Sequence, residues 1–488
     1  MQYKTPGVYI PEPVSGFTQT IVAVPTAVPA FLGYTEKAAA TGELVRAASM
    51  ADYEAQFGGP PPLAFTYADL ADPSNGGYAL QYPHRFVLHA SLQLYFANGG
   101  APCFVMSVGS YVATPHVSDF AAALAELEQV QDVTLVVAPD VASLGADATS
   151  AYPAQVLAHC GKLQDRFAIL DVPRGDVPRG TGAEDQVAAF RASIGLDDLS
   201  YGAAYYPWLN TTALGGVDFR AITPESLPAF QARLQRDTDA LFAGQPAMAV
   251  QLQVLTQAIA SLSHDMPNTQ AAAADQLLTA SLGIYRQVMQ DILTRVNLLP
   301  PSGAMAGIYC TVDSTRGVFA SPANIAPLGV ASPAVRVSDT DQEDLNTPLD
   351  GKAVNAIRMF PNYGTLVWGA RTLDGNADDF RYVSVRRMLI MLEQSIKAAV
   401  QTYSFAPNDS QTWVAVTSVV STFLTDQWKE GALQGAKPSD AFSVSVGLGI
   451  TMTSEDILNG TMRVSVNVAL VRPAEFIVLT FAQQMVRS

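Results

Sequence analysis

Charge is scarce in this chain, and positive charge above all. Lysine and arginine number 28 against 44 aspartates and glutamates, so the net charge is −16, with no basic cluster anywhere. Nucleic acids and anionic membranes both need a cationic footprint, and neither is an expected partner. Cysteine is sparse too. Cys103, Cys160 and Cys310 are odd in number, far apart and set among apolar neighbours. That pattern reads as buried, reduced thiols made in a cytoplasm, and it argues against a disulfide framework or a metal site. The apolar run from Ile21 to Leu32 is interrupted by Pro25 and Pro29 and is too short to span a bilayer, so no direct membrane insertion is expected. No signal peptide is legible, because Met1–Thr5 carries a single lysine and Pro6-Gly7 follows at once. A surface-layer or adhesin-like protein would need one.

Catalytic signatures are missing as well. The loop after the strand near residue 105, SVGSYVATP, lacks the GxGxxG spacing, and neither a phosphate-binding GxxxxGK[ST] nor a GxSxG nucleophile turn occurs. His84, His89, His116, His159 and His264 show no HExxH or paired metal spacing. His159 and Cys160 are adjacent on a helix and so point apart, which favours packing over a nucleophile pair. SDTDQEDLN (338–346) has no glycine at the turn and no closing glutamate, so it reads as a solvated acidic loop and not a calcium site. GAMAG (303–307) has small-residue spacing that signals close packing. YGAAYYPWLN (201–210) reads as an aromatic strand end packed on a neighbour. No metal or cofactor is expected. One enzymatic reading stays open: an α/β hydrolase-like enzyme with Asp140 and Asp171, each just after a strand, in its cleft. The competing reading makes both aspartates turn formers or helix caps.

What the chain does have is length, apolar content and order. Its 488 residues exceed what one core can organise, so two to four domains are expected. Apolar residues make up 49% and charged ones only 15%, which leans towards assembly. Residues 1–20 read as an extended arm, since Pro6, Pro11 and Pro13 forbid helix while Val8, Tyr9 and Ile10 can pair as an edge strand. From Cys103 to Tyr206 strands and helices alternate with short connections, which implies right-handed βαβ units and a mainly parallel sheet. Residues 221–300 turn Ala-, Gln- and Leu-rich and read as a helical insertion. Residues 301–350, punctuated by Pro, Gly and Ser, read mostly as loop.

The closing region is patterned again. A helix is expected near Arg381–Tyr403. Asn408 with Gln411 resembles a capping box for a second helix, which carries Trp413, Val416, Val420, Phe423 and Leu424 and stops at Gly431. Two alternating strands follow, around Phe442–Leu448 and Met462–Leu470. The end is the puzzle: Glu475–Phe481 is a strand by residue type, apolar on nearly every position, where a chain end is usually polar and frayed. Both ends are pairing-competent, and strands completed by other copies make head-to-tail contacts that close into rings or run on as helices.

Taken in order, these pieces resemble a known family. YKTPGVYIPE with VPTAVPAFLGYTEKA is similar to the N-terminal arm and first strand of contractile tail sheath proteins, found in contractile phage tails and in phage-tail-like injection particles. LYFANGGAPCFVMSV, DVTLVVAPD, DRFAILDVPRGD and YGAAYYPWL resemble its middle domain. PPSGAMAGIY, TRGVFASPAN, NAIRMFPNYGTLVWGARTL, FRYVSVRRMLIMLEQSIKAAVQTYSFAPND and GALQGAKPSDAFSV through RPAEFIVLTF resemble its conserved C-terminal part. The AYYPWL and LNTPLDG stretches lean towards the injection particle. The helical stretch 221–300 matches nothing in the family and is expected on the outside.

The resemblance implies a multidomain α/β fold. Its parts are an N-terminal arm (1–20), an α+β inner domain built from both chain termini (21–50 with 340–488, the strand arm being 472–488), a parallel-rich α/β middle domain (51–220 with 301–339), and the insertion (221–300). It implies a structural subunit without catalytic residues. The subunit would polymerise with its own kind, six per ring in a helical array, around an inner tube protein, and would contract to drive that tube through a target envelope. Baseplate and tail terminator or cap proteins would be further partners, and assembly would take place in a bacterial cytoplasm. Strand pairing between subunits is assigned to Val8, Tyr9, Ile10, Phe476, Ile477, Val478, Leu479 and Phe481. The polar end of the second helix, Asp426, Lys429 and Glu430, is the candidate contact with the tube.

Overall fold

The structure is a computed structural model that describes residues 20–38, 42–70, 77–82, 85–144, 146–180 and 185–476. Two compact units emerge. One comprises residues 27–386; the other joins residues 1–26 to 387–488.

The larger unit is built on an eight-stranded sheet. In chain order it begins with β1 (Pro29–Thr35), β2 (Leu44–Ala47) and α1 (Met50–Phe57), followed by the hairpin β3 (Thr66–Asp69) and β4 (Tyr78–Gln81). Next come α2 (Leu88–Ala97), β5 (Cys103–Ser110), α3 (Val117–Leu127), β6 (Leu135–Val137), α4 (Ala146–Leu163), β7 (Phe167–Asp171), α5 (Gln186–Ser193), β8 (Gly202–Tyr206) and β9 (Leu209–Thr211). Four helices then run together: α6 (Leu227–Phe242), α7 (Ala249–Ser261), α8 (Asn268–Ser281) and α9 (Gly283–Val296). The unit closes with β10 (Leu298–Leu299), α10 (Ser302–Arg316), β11 (Val330–Pro333), α11 (Asp339–Asn346), β12 (Asn355–Phe360) and β13 (Gly364–Val367), and the division from the smaller unit falls within α12 (Val383–Val400).

The spatial order of the sheet is β13-β12-β8-β7-β6-β1-β5-β2. Every pair from β12 to β5 is parallel, and the two edge strands are antiparallel. Strands β1, β6 and β8 are buried at every residue. That is why they read as continuous apolar runs with no alternation. Helices α2 and α10 pack on each other and on β1, β6 and β7, while α3 and α4 pack together on β5, β1 and β7. The α2–α10 contact depends on glycine. A Cβ at Gly303 would lie 2.4 Å from the Ser91 carbonyl oxygen, and one at Gly307 2.4 Å from that of Tyr95. Backbone, unlike a side-chain tip, cannot yield to such a clash.

Several expectations are corrected here. Residues 27–50 and 340–386 do not join the inner, terminal unit. β1 pairs with β5 and β6, and β12 pairs with β8, so all of them belong to the large sheet. The stretch 301–350 contains the fully buried core of α10 as well as α11. The expected acidic loop is α11 itself, with Ser338 and Asp341 forming a reciprocal capping box. The insertion is helical, with α8 and α9 separated only by Leu282. It shares one hydrophobic core with the β3–β4 hairpin, in which Phe65, Tyr67, Tyr78 and Leu80 meet Phe230, Leu278 and Tyr285.

In the smaller unit, residues 20–26 lie along α12, where the Val24 amide donates to Ser395 Oγ (3.0 Å) and Arg387 Nη2 donates to the Thr26 carbonyl (3.0 Å). Helix α13 (Ser410–Lys429) follows, then α14 (Pro438–Ala441), β14 (Phe442–Ser445), α15 (Ser454–Leu458) and β15 (Ser465–Val468). The cap of α13 is Asp409, which accepts from the Gln411 and Thr412 amides. The expected Asn408 instead accepts from Trp413 Nε1. Val416, Val420, Phe423 and Leu424 are buried as the periodicity implies. β14 and β15 pair antiparallel with Phe442 opposite Val468 and Val444 opposite Val466.

The glycine contact yields a direct test. Gly307→Val should destabilise the larger unit by about 1–3 kcal/mol through overpacking, seen as a lower calorimetric midpoint. An unchanged midpoint would mean that α2 and α10 can separate at no cost.

Candidate functional site

In a doubly wound sheet, ligands bind at the carboxyl ends of strands where successive connections depart in opposite directions. Here that crevice lies between β1 and β6, whose connections lead to opposite sides of the sheet. It is occupied by the protein itself. Asp140, in the 3₁₀ turn Pro139–Ser143 after β6, is 1% exposed. Its Oδ1 accepts from the amides of Val87 (2.6 Å) and Leu88 (2.9 Å) at the start of α2, and its Oδ2 accepts from the Tyr34 amide at the end of β1 (2.8 Å). A helix N-terminus is a ready-made anion site, and this one already holds an anion. Gly33 leaves the room: a Cβ there would sit 2.6 Å from Asp140 Oδ2.

Asp171 repeats the arrangement one strand over. Its Oδ1 accepts from the Ser302 amide, the first of α10, at 2.7 Å. Burial pushes the Asp140 carboxyl up to about 6, against the pull of its three amide donors, and pushes Asp171 up to about 7, against the pull of Ser302. Both aspartates therefore cap, from a distance, helices that belong to other parts of the chain. The hydrolase-like reading is not supported: each carboxylate is committed to backbone amides. Among the described residues no group of His, Cys, Asp or Glu is placed to hold a metal, and no helix is long and apolar enough to cross a membrane. Cys103, Cys160 and Cys310 are buried thiols outside any disulfide.

The other chemistry-bearing clusters are structural as well. Asp344 receives both Arg179 Nη1 (2.7 Å) and Arg191 Nη1 (2.9 Å), tying α11 to α5. The aromatic run at 201–210 is buried, with Trp208 Nε1 donating to the Val172 carbonyl at 2.9 Å.

Attention then moves to surfaces that could join subunits. Among the described residues, β14 and β15 form a sheet of only two strands whose valines are half-buried. Phe476, the last described residue, is 71% exposed. Val8, Tyr9, Ile10, Ile477, Val478, Leu479 and Phe481 lie outside the described residues. At the end of α13, Lys429 Nζ meets Asp426 Oδ1 at 3.0 Å and Gln427 Nε2 meets Glu430 Oε2 at 3.2 Å. Asp426 and Lys429 are both more than half exposed.

Comparison with known proteins decides between these readings. Residues 376–484 match the family described as the phage tail sheath C-terminal domain. Over its whole length the chain is similar to a chain in the cryo-EM structure of the anti-feeding prophage (AFP) baseplate: 28% identical, covering 99% of this chain and 100% of that one, with a TM-score of 0.63. It is equally similar to a chain in the sheath complex, in its contracted state, of the extracellular contractile injection system PVC: 28% identical, 99% of each chain covered, TM-score 0.62. The whole chain is thus similar to chains of contractile injection systems, and its residues 376–484 match a tail sheath domain. A curated relative, the tail sheath protein of Salmonella phage ViI, is 25% identical over 143 residues, which are 29% of this chain and only 22% of that longer protein. The strand-end aspartates hold the fold together, each accepting from backbone amides at the start of a helix.

The caps give the larger unit a pH signature. Asp171 has an ordinary value of 3.8 and a folded value of about 7, so its contribution to stability is full below about pH 4 and is lost as pH rises through about 7. The difference amounts to roughly 2–4 kcal/mol. Asp171→Asn keeps an acceptor for Ser302 without the charge. It should flatten the decline in denaturation midpoint between about pH 4 and about pH 7. A variant with the same pH slope as the parent would rule out a raised Asp171.

Proposed function

We propose that this sheath protein polymerises as a helical array of six-membered rings around an inner tube, and that contraction of the array drives the tube through a target envelope. The observation that carries the reading is the end-to-end likeness to the PVC sheath chain in its contracted state. In this proposal the terminal segments Val8–Ile10 and Phe476–Phe481 of neighbouring subunits add strands to the β14–β15 ribbon. Support comes from the ribbon's having only two strands among the described residues and from its half-buried valines, which a further strand would cover. Main-chain hydrogen bonds then supply affinity while alternating side chains set the register. The stroke draws on contacts that improve in the contracted state, held back by a barrier that baseplate contacts maintain; terminator or cap proteins close the far end. A difference of a few kcal/mol per subunit suffices when many subunits switch together. Assembly in the bacterial cytoplasm and a part in an injection particle complete the proposal.

Two experiments test it. Removing residues 1–20, or everything after Pro473, should leave a folded, soluble subunit that no longer forms long tubes in electron micrographs. Normal tubes from both truncations would defeat the strand-sharing scheme. The second concerns Asp426, Lys429 and Glu430 as the tube contact. Exposed charge pairs contribute only about 0–1 kcal/mol each and weaken with salt, which suits a contact that must release on expansion. Reversing all three charges should lower co-assembly with the inner tube while sheath polymerisation continues; a normal yield of sheathed tubes at low salt would exclude this helix end.

A further inference from the structure

The helical insertion carries a surface that the described residues leave uncovered. Helix α7 packs on α6 and α8, with Leu255 and Ile259 buried in the insertion's core. Its opposite side presents Val250 and Val254, 71% and 47% exposed. Residues four apart lie one above the other on a helix, so the two valines make one ridge. Gln257 and Ser261 continue the ridge and are exposed as well. Valine is among the poorer helix formers, and an exposed valine gains nothing from packing. The folding of α7 therefore does not account for the pair. Beside the second half of α7, between it and α8, lies an open hollow of about 440 Å³. Ala258, Ala273 and Ala274 line it with small side chains, and Met266 and Leu277 add apolar surface.

Charge and area together narrow what can cover this surface. Residues 240–264 contain no Asp, Glu, Lys or Arg, in a chain whose net charge is −16. Among the residues lining the hollow, Asp265 alone is charged. Copies of an acidic chain repel wherever acidic faces meet. The ridge presents no charge, so a second copy can approach there without that cost. Ridge and hollow together supply about a dozen residues, whereas a stable interface engages roughly 20–30 a side. So small a contact does not hold a separate soluble protein. It does add to the hold on a second copy that other contacts already keep alongside, because the effective concentration of that copy is high.

We propose that the Val250–Val254 ridge of one copy seats in the α7–α8 hollow of a neighbouring copy. The inference rests on the polymer reading above and adds to it an apolar contact made by the insertion. Ridge and hollow are different patches of one surface, so the contact runs one way, from each copy to the next, and can repeat along an array.

Cross-linking tests the contact. Full-length Val250→Cys and Ala273→Cys subunits are assembled into tubes, each alone and as an equal mixture, and treated with a short bismaleimide. Both positions are exposed, while the native cysteines are buried and serve as the background in the parent. The mixture should yield covalent dimers on a denaturing gel, and neither variant alone should do so. Val254→Asp gives a second readout, because it carries a charge into a contact that excludes water. Its tubes should form but come apart at a lower urea concentration than the parent's, while the unfolding midpoint of the free subunit stays the same. Three results would overturn the contact and leave the polymer reading standing: tubes from the mixture without dimers, equal dimer yield from a single variant, or Val254→Asp tubes as resistant to urea as the parent's. A parent that forms no tubes at all would instead overturn the polymer reading, and this contact with it.

Discussion

Helices α2 and α10 begin at the carboxyl ends of the sheet, where unpaired first-turn amides create a demand for hydrogen-bond acceptors. Aspartates from the ends of β6 and β7 meet it. This one interaction ties the order of the strands to the position of the helices. The helices then approach closely enough that Gly303 and Gly307 cannot carry a side chain. The same carboxylates occupy the crevice where other proteins of this architecture bind ligands. A fold that commonly serves enzymes is used here as a rigid body, with its natural anion site filled from within.

For the proposed sheath subunit, the work would lie in contacts with other chains. Identical subunits with a net charge of −16 repel each other, so charge attraction between like patches is a poor basis for a polymer. Strand pairing through the main chain does not depend on net charge, and it lets neighbours stay joined while other contacts exchange. The exposed charges at the end of α13 are cheap to make and to break. Strong and weak contacts of these two kinds are what a sheath that must hold together and also move requires.

Much of this was legible in the residues, and the gaps have physical causes. The buried strands at Leu135–Val137, Phe167–Asp171 and Gly202–Tyr206 announce themselves as short apolar runs between helical periods. The parallel-rich α/β class followed from them. The placement of β12 beside β8 did not, because parallel pairing across that much chain leaves no local trace. Helix α10 was hidden by its own packing: the glycines that permit its contact with α2 lower its helical propensity, and the prolines before it look like a break although proline is tolerated at a helix start. α11 was legible in principle, since Ser338 and Asp341 spell out a capping box, but its density of acidic residues read as loop. Asp140 lies in the turn after β6 and Asp171 is the last residue of β7. Their role was not decided by position, because an aspartate that caps a distant helix and one that does chemistry occupy the same place in the sequence.

The central claim is that the β14–β15 ribbon is completed by other subunits. Amide hydrogen exchange of the soluble subunit and of the assembled polymer, followed at Phe442–Ser445 and Ser465–Val468, tests it most directly. Strand addition predicts that amides of these two strands left exchangeable in the free subunit become strongly protected in the polymer, while those of β1 and β6 in the large sheet exchange alike in both. Equal exchange of the ribbon amides before and after assembly would contradict the account.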